Sequence, residues 1–347
     1  MAYTTINKSS EHFTNKVYTG TGSARNITGL GFQPDFSIVK RKDSTGVWYN
    51  TDIVRGAGKQ MYLNETGGMG GSASTTEITG FNSDGFNLGT DGGVNASGGT
   101  YTSFNFLANN TTGSSNTDGT ITSTVSANTT AGFSIIKYTG TGANASFGHG
   151  LGGTPAVYIL KRLTGGASTW LMYHKSLGIG YHVGVNNSAA KAANDASFAN
   201  NTAPDASKIY LGNWGDLNAN GSDFICYAWK EIQGYSKFGS YTGNGNADGS
   251  FIYTGFKPRF IHMRNVDTAS SPVWIDMSNT SFTNVHTGRL YTDGSSAIDS
   301  TVVMDGLSNG FKLRTAIGNC NSIAPFIYMA FAEAPLVGTN NVPATAR

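Results

Sequence analysis

Five landmarks return three times along the chain, in the same order. Tyr18-Thr-Gly-Thr-Gly22 recurs as Tyr138-Thr-Gly-Thr-Gly142 and as Tyr241-Thr-Gly-Asn-Gly245. Next, a proline opens an apolar run that ends on a base. The three versions are Pro34-Asp-Phe-Ser-Ile-Val-Lys40, Pro155-Ala-Val-Tyr-Ile-Leu-Lys161 and Pro258-Arg-Phe-Ile-His-Met-Arg264. A tryptophan follows each: Trp48, Trp170 and Trp274. Then come Asp84-Gly-Phe-Asn-Leu88, the divergent Ser207-Lys-Ile-Tyr-Leu211, and Asn309-Gly-Phe-Lys-Leu313. Each copy closes on an aromatic run: Tyr101–Phe106, Phe224–Trp229 and Phe326–Phe331. Repetition at a fixed period fixes the architecture before local propensity does. The chain is therefore expected to be three copies of one unit.

The spacing divides the 347 residues into an N-terminal arm 1–14, a module 15–110, a Ser/Thr/Gly-rich linker 111–131, modules 132–232 and 233–335, and a C-terminal arm 336–347. Each module reads as β. Apolar runs of 4–8 residues rich in Ile, Val, Phe, Tyr and Trp lie between Asp-Gly and Asn-Gly turns. Ser188 to Asn200 is the one plausible short helix. About 100 residues with strands at this spacing predict a β-sandwich, so the fold class is all-β with three tandem jelly-roll or lectin-like modules. The shared Pro34, Pro155 and Pro258 and the tryptophans Trp48, Trp170 and Trp274 are expected to be structural, each tryptophan plugging its own sandwich.

Charge and cysteine content narrow the function. Lys+Arg 23 against Asp+Glu 21 is too balanced for an electrostatic nucleic-acid binder. No run approaches the roughly 20 apolar residues of a membrane helix, so no membrane insertion is expected. The first residues carry no secretory signal. Cys226 and Cys320 are expected as free thiols in a reducing cytoplasm.

Chemistry-bearing motifs fail on inspection. The dinucleotide fingerprint needs a third glycine where Arg25, Ala145 and Asp248 stand. No Gly-x-Ser-x-Gly elbow occurs. His174 and His182, eight apart, could meet across a hairpin as a metal pair, and ordinary packing is the competing reading. Asn244, Asn246 and Asp248 place oxygens at alternate positions like half a calcium loop, but Gly255 stands where the closing glutamate belongs. Asp84, Asp91, Asp118, Asp248, Asp293 and Asp305 directly precede glycine, as turn residues do. No cofactor and no catalytic residue is assigned. Trp214, in Gly212-Asn-Trp-Gly-Asp216, is the surface aromatic best placed to stack on a sugar.

Longer stretches carry a family likeness. They are Ala2-Tyr-Thr-Thr-Ile-Asn-Lys-Ser9, Gly31-Phe-Gln-Pro-Asp-Phe36, Ser114-Ser-Asn-Thr-Asp-Gly119, Gly234 to Gly245, Ser308-Asn-Gly-Phe-Lys-Leu-Arg314, Tyr328-Met-Ala-Phe-Ala-Glu333 and Val342-Pro-Ala-Thr-Ala-Arg347. Through them the whole chain resembles the triplicated β-domain virion structural proteins of marine tailed bacteriophages. It departs most in Asn265-Val-Asp-Thr-Ala-Ser-Ser-Pro272, where that family shows a Lys/Arg-rich loop. The resemblance implies a non-enzymatic virion protein, assembled in the host cytoplasm and released by lysis.

The first expectation is a tail-associated fibre or adhesin that contacts host surface glycan. The alternative is a capsid fibre or decoration protein, and the second alternative is a polysaccharide depolymerase. Expected partners are other virion proteins and copies of itself, with both terminal arms docked on neighbouring subunits. A homotrimer is the default; three modules around a pseudo-threefold axis within one chain is the other possibility.

Overall fold

The computed structural model describes residues 3–194, 196–278 and 284–338, and it is all-β with several antiparallel sheets. In the first repeat a five-stranded sheet runs Phe13–Thr19, Thr100–Phe106, Phe36–Arg41, Trp48–Asp52, Met61–Tyr62. The third repeat gives the same order: Ser236–Thr242, Pro325–Pro335, Phe256–Asn265, Val273–Asp276, Leu290–Tyr291. The second gives Phe133–Thr139, Asp223–Trp229, Val157–Arg162, Leu171–His174, Tyr181–Gly184. A smaller sheet faces each: Arg25–Ile27 with Gly85–Leu88 and Ile78–Asn82; Ala145–Gly148 with Lys208–Leu211; and a four-stranded sheet that includes Phe251–Tyr253 and Gly310–Leu313.

The proline-led runs are apolar without alternation because both of their faces are buried. Val157 and Ile159 look one way and Tyr158 and Leu160 the other. Tyr158 and Leu160 pack between the two sheets of their own repeat, as Val39 and Met263 do in theirs. Val157, Ile159, Phe36, Ile38 and Phe260 enter one core shared by all three repeats. The closing strands split the same way: Ile225, Tyr227 and Trp229 join the shared core, while Phe224, Cys226 and Ala228 stay in the second repeat.

The tryptophans correct the sequence reading. Trp48, Trp170 and Trp274 all lie in the shared core and not inside their own sandwiches. Rings meet across the seams between repeats: Phe36 on Tyr227 with centroids 4.1 Å apart, Trp48 on Trp274 at 5.2 Å, and Phe106 on Phe331 at 5.3 Å. Such pairs add about 0.5–1.5 kcal/mol each beyond the area they bury. Pro34 and Pro155 are buried just ahead of their strands, whereas Pro258 lies inside its strand at a register shift, where the ladder does not require its missing N–H.

The segment read as a linker carries structure of its own. Ser114–Asn116 and Ser123–Asn128 add two strands to the second repeat's sheet, and Ile121 and Val125 enter its core. Its buried serines are satisfied, Ser123 donating to Gly148 O at 2.8 Å and Ser126 accepting from Asn109 N at 3.2 Å. The N-terminal residues rest on the third repeat of the same chain. Tyr3 donates to Gly255 O at 2.8 Å, and Ile6 enters the shared core. Of the C-terminal arm, residues 339–347 lie outside the described residues. The expected helix at 188–200 is reduced to one turn, Ala196–Ala199, after a two-residue strand Ala192–Ala193.

Candidate functional site

The Tyr-Thr-Gly-x-Gly motif is a structural clamp, built three times with the same bonds. The tyrosine hydroxyl donates to a carbonyl in a one-turn helix: Tyr18 to Val94 at 2.8 Å, Tyr138 to Leu217 at 2.5 Å, Tyr241 to Cys320 at 2.7 Å. The next residue in each helix is a fully buried asparagine. Asn95, Asn218 and Asn321 accept from Thr21 N, Thr141 N and Asn244 N at 2.8–3.0 Å. Their amide groups donate back to Ser23 O, Ala143 O and Asn246 O. The first glycine of each motif has no room for a Cβ, which would overlap the carbonyl oxygen of Ala96, Ala219 or Ser322. The second has φ of 73°, 72° and 65°, the left-handed region that favours glycine. Sequence reasoning missed these asparagines. Their signal was available as Gly-x-apolar-Asn in Gly92–Asn95, Gly215–Asn218 and Gly318–Asn321.

The seams repeat as well. The base that ends each proline-led strand reaches the loop of another repeat. Lys40 donates to Ser295 O at 2.8 Å, and Lys161 to Thr66 O at 2.7 Å. Arg264 donates to Gly184 O at 2.5 Å, to Asn187 O at 2.8 Å and to Ala189 O. First holds third, second holds first and third holds second, so the contacts close a head-to-tail cycle within one chain. All three bases are buried. Desolvation pulls Lys40 and Lys161 down to about 8 and Arg264 down to about 10. A second cycle runs through the residues opposite Phe36, Val157 and Phe260 on the ladder. Asp52 accepts from Tyr227 at 2.6 Å, His174 meets Tyr328 O at 3.1 Å, and Asp276 accepts from Asn15 at 2.8 Å and from Thr102 at 2.5 Å.

Where the repeats converge there is an apolar cavity of about 30 Å³, lined by Ile38, Ile159, Met172, Trp274 and Phe331 among others. His262 also lines it. Its ring nitrogens make no well-formed hydrogen bond among the described residues, the Val273 backbone being a weak partner at most. Burial, reinforced by the nearby Arg264 and His174, pushes its pKa down to about 3. This is a neutral histidine in a packed centre, with no room for a substrate.

A second cavity opens at the seam between the third and first repeats. It measures about 420 Å³ and is lined by Ser271, Tyr291, Asp293, Gly294, Ser296 and Asn319. Trp48 Nε1 donates to Tyr291 O at 3.0 Å and to Gly294 O at 3.3 Å, which holds the wall in place. Arg289 lies over the Tyr291 ring at 5.5 Å, donates to Asn319 Oδ1 at 2.6 Å and pairs with Asp299 at 2.7 Å. The Tyr291 hydroxyl donates to Asp299 at 2.7 Å. Tyr291 is therefore fixed in place, while serine hydroxyls and the Asp293 carboxylate line the space. The space is open to solvent, a polar surface depression that a small polar ligand can contact from one side.

The residues singled out from sequence fall elsewhere. Trp214 is half-buried at the start of the helix Gly215–Asn218, against Phe198 and His182, in the second repeat. Asn244, Asn246 and Asp248 spend their oxygens on the turn itself. Asn244 Oδ1 accepts from Asn246 N and Asn246 Oδ1 from Asp248 N, while Asp248 pairs with Lys312 at 2.8 Å. His174 and His182 cannot share a metal. Met172 pairs with Val183, so the register turns His174 toward the third repeat and His182 toward Phe198 on the other face. Cys226 and Cys320 are free and buried.

With this geometry in hand, the comparisons with known proteins give a family and no function. The chain belongs to a family described as a domain of unknown function, DUF7483, whose match spans residues 8–335 and so runs across all three repeats. No curated protein and no solved structure matches the chain.

Proposed function

We propose that this chain is a non-enzymatic structural protein of a phage particle, a tail-associated fibre or adhesin that contacts host surface glycan. The observation that carries the reading is the contrast between a scaffold locked by two cycles of buried contacts and an open polar cavity at one seam. A rigid frame with a preformed, hydroxyl-lined pocket is what weak, repeated sugar contacts need, and many copies on one particle multiply them. The partners are other virion proteins. Cryo-EM of the intact particle tests the reading. Density at the tail, with the Asp293 seam facing outward, is expected. Density confined to the capsid overturns it.

A capsid decoration protein is the second reading, and one observation favours it. The strand Phe251–Tyr253 carries Phe251 and Tyr253 at 46% and 54% exposure, an apolar rim suited to contact with another protein.

A further inference from the structure

The third seam differs from the other two at one position that changes what its pocket can bind. In the first repeat Asn64 Oδ1 accepts the backbone N–H of Trp48 at 2.9 Å; in the second, Asn186 Oδ1 accepts that of Trp170 at 3.0 Å. Backbone bonds fix the equivalents in the third. Leu63 N donates to Trp48 O, Val185 N to Trp170 O, and Thr292 N to Pro272 O. Pro272 therefore stands where the tryptophans stand, and Asp293 stands where the asparagines stand. Two more backbone bonds agree: Gly46 N to Ser295 O, Ser168 N to Thr66 O and Ser270 N to Ser188 O are one set. The other is Ile298 N to Lys42 O, Met69 N to Leu163 O and Lys191 N to Val266 O.

Proline has no N–H to give. An acceptor-only carboxylate has thus replaced an amide exactly where its donor has been lost. Among the described residues, Asp293 makes neither a hydrogen bond nor an ion pair, although it is half-buried and lines the 420 Å³ cavity. Arg264 feels its charge but is committed to the carbonyls of Gly184, Asn187 and Ala189. Ser271 and Ser296, on the same wall, have side chains with no hydrogen bond among the described residues. The pocket offers an unspent carboxylate, two hydroxyls and a tyrosine.

We propose that Asp293 is the ligand-reading carboxylate of a saccharide subsite, and that its ligand is a neutral sugar presenting adjacent hydroxyl groups. This rests on the glycan-binding reading above and names the site and sugar class within it. Each sugar hydroxyl is a donor that the carboxylate lacks, and charge-assisted hydrogen bonds are the strong ones. An anionic sugar would place a second negative charge beside Asp293. A calcium ion would find one carboxylate where six to eight oxygen ligands are needed.

The test uses the full chain and ligand-observed NMR with neutral gluco-, galacto- and manno-trisaccharides, alongside sialyllactose, calcium chloride and a broad glycan array. Variants are Asp293→Asn, Pro272→Ala, which returns a backbone donor to Asp293, and Trp214→Ala. The expected result is binding of at least one neutral trisaccharide. It should weaken tenfold or more in Asp293→Asn and measurably in Pro272→Ala, and stay unchanged in Trp214→Ala. Neutral-sugar binding that survives both seam variants overturns the site and leaves the adhesin reading standing. Binding of sialyllactose or calcium at Asp293, with no neutral sugar bound, overturns the sugar class. Binding to no glycan on the array overturns both the inference and the adhesin reading.

Discussion

The seam at which the second repeat grips the first and the seam at which the third grips the second do the same job with different chemistry. At the former, Lys161 holds Thr66 O and Ser168 O, and Trp170 Nε1 donates to Tyr62 O at 3.2 Å. At the latter, Trp274 has moved two residues along the ladder, pairing with His262, whereas Trp48 pairs with Lys40. A two-residue shift keeps a side chain on the same face, so Trp274 still enters the shared core. Its indole N–H, however, has lost its acceptor, and Trp274 Nε1 is unpartnered among the described residues. Arg264 covers the deficit by reaching three carbonyls with a planar fork that one ammonium cannot imitate. Repeats that share a frame can therefore exchange the group that closes each joint.

That comparison can be broken most severely at Trp170. Trp170→Ala should cost about 3–5 kcal/mol in urea denaturation, the range for emptying a large aromatic from a packed core. Trp274→Phe should cost about 1 kcal/mol less than Trp170→Phe, because only the second strands a carbonyl. Arg264→Lys should cost roughly 1–2 kcal/mol, since a single ammonium cannot span the buried Gly184 carbonyl and the half-exposed carbonyls of Asn187 and Ala189 together. The reverse exchange, Lys161→Arg, would show whether the forked group suits that seam equally well; equal stability in both variants would refute the distinction.

Asn218→Ala serves as the control that should not distinguish the repeats. It should lose about 2 kcal/mol, and Asn95→Ala and Asn321→Ala should match it, because the clamp is the same in all three. His262→Met sharpens the centre in the opposite direction. Replacing a buried ring that makes at most a weak bond to the Val273 backbone by a thioether should raise stability at pH 7 by up to about 1 kcal/mol. It should also flatten the acid limb. His262 has a folded pKa of about 3 and His174 of about 4, both pulled down by burial. The unfolded chain, titrating near 6.5, binds more protons as pH falls. Stability therefore declines from about pH 6.5 until both folded values are passed. A urea midpoint that tracks pH identically in wild type and His262→Met would contradict this. The smallest effect belongs to Asp293→Asn, within about 0.5 kcal/mol, because the carboxylate makes no hydrogen bond among the described residues and acts on Arg264 only through its charge; a larger loss would make it structural.

The repeats were legible because the Tyr-Thr-Gly-x-Gly landmark is fixed by contacts within its own unit. Tyr138 meets Leu217, and the Gly140 and Gly142 turn closes against the same helix. The proline-led run was legible as a strand, but its partner face was not. A run apolar on both sides says that both faces are covered and is silent on whether the second cover is another sheet of the same repeat or another repeat. Trp48, Trp170 and Trp274 are each expected in the wrong core for that reason. The 111–131 segment misled through composition: Ser, Thr and Asn resemble a linker until Ile121 and Val125 are seen to anchor two strands. The seam pocket was least legible. Its chemistry depends on a bond that is missing, and a proline opposite an aspartate 21 residues on, Pro272 and Asp293, leaves no pattern until the first two repeats show what used to sit there.

Three identical subunits must carry any change in triplicate, so a residue that improves one joint is imposed on the other two. Joining the copies end to end removes that obligation. Pro272 and Asp293 occur once in an arrangement whose other two versions carry a tryptophan and an asparagine. The tryptophan–asparagine bond is kept in two repeats, and the third is at liberty to vary. A lineage under pressure to change what it recognises can thus revise one corner of the molecule without renegotiating the frame.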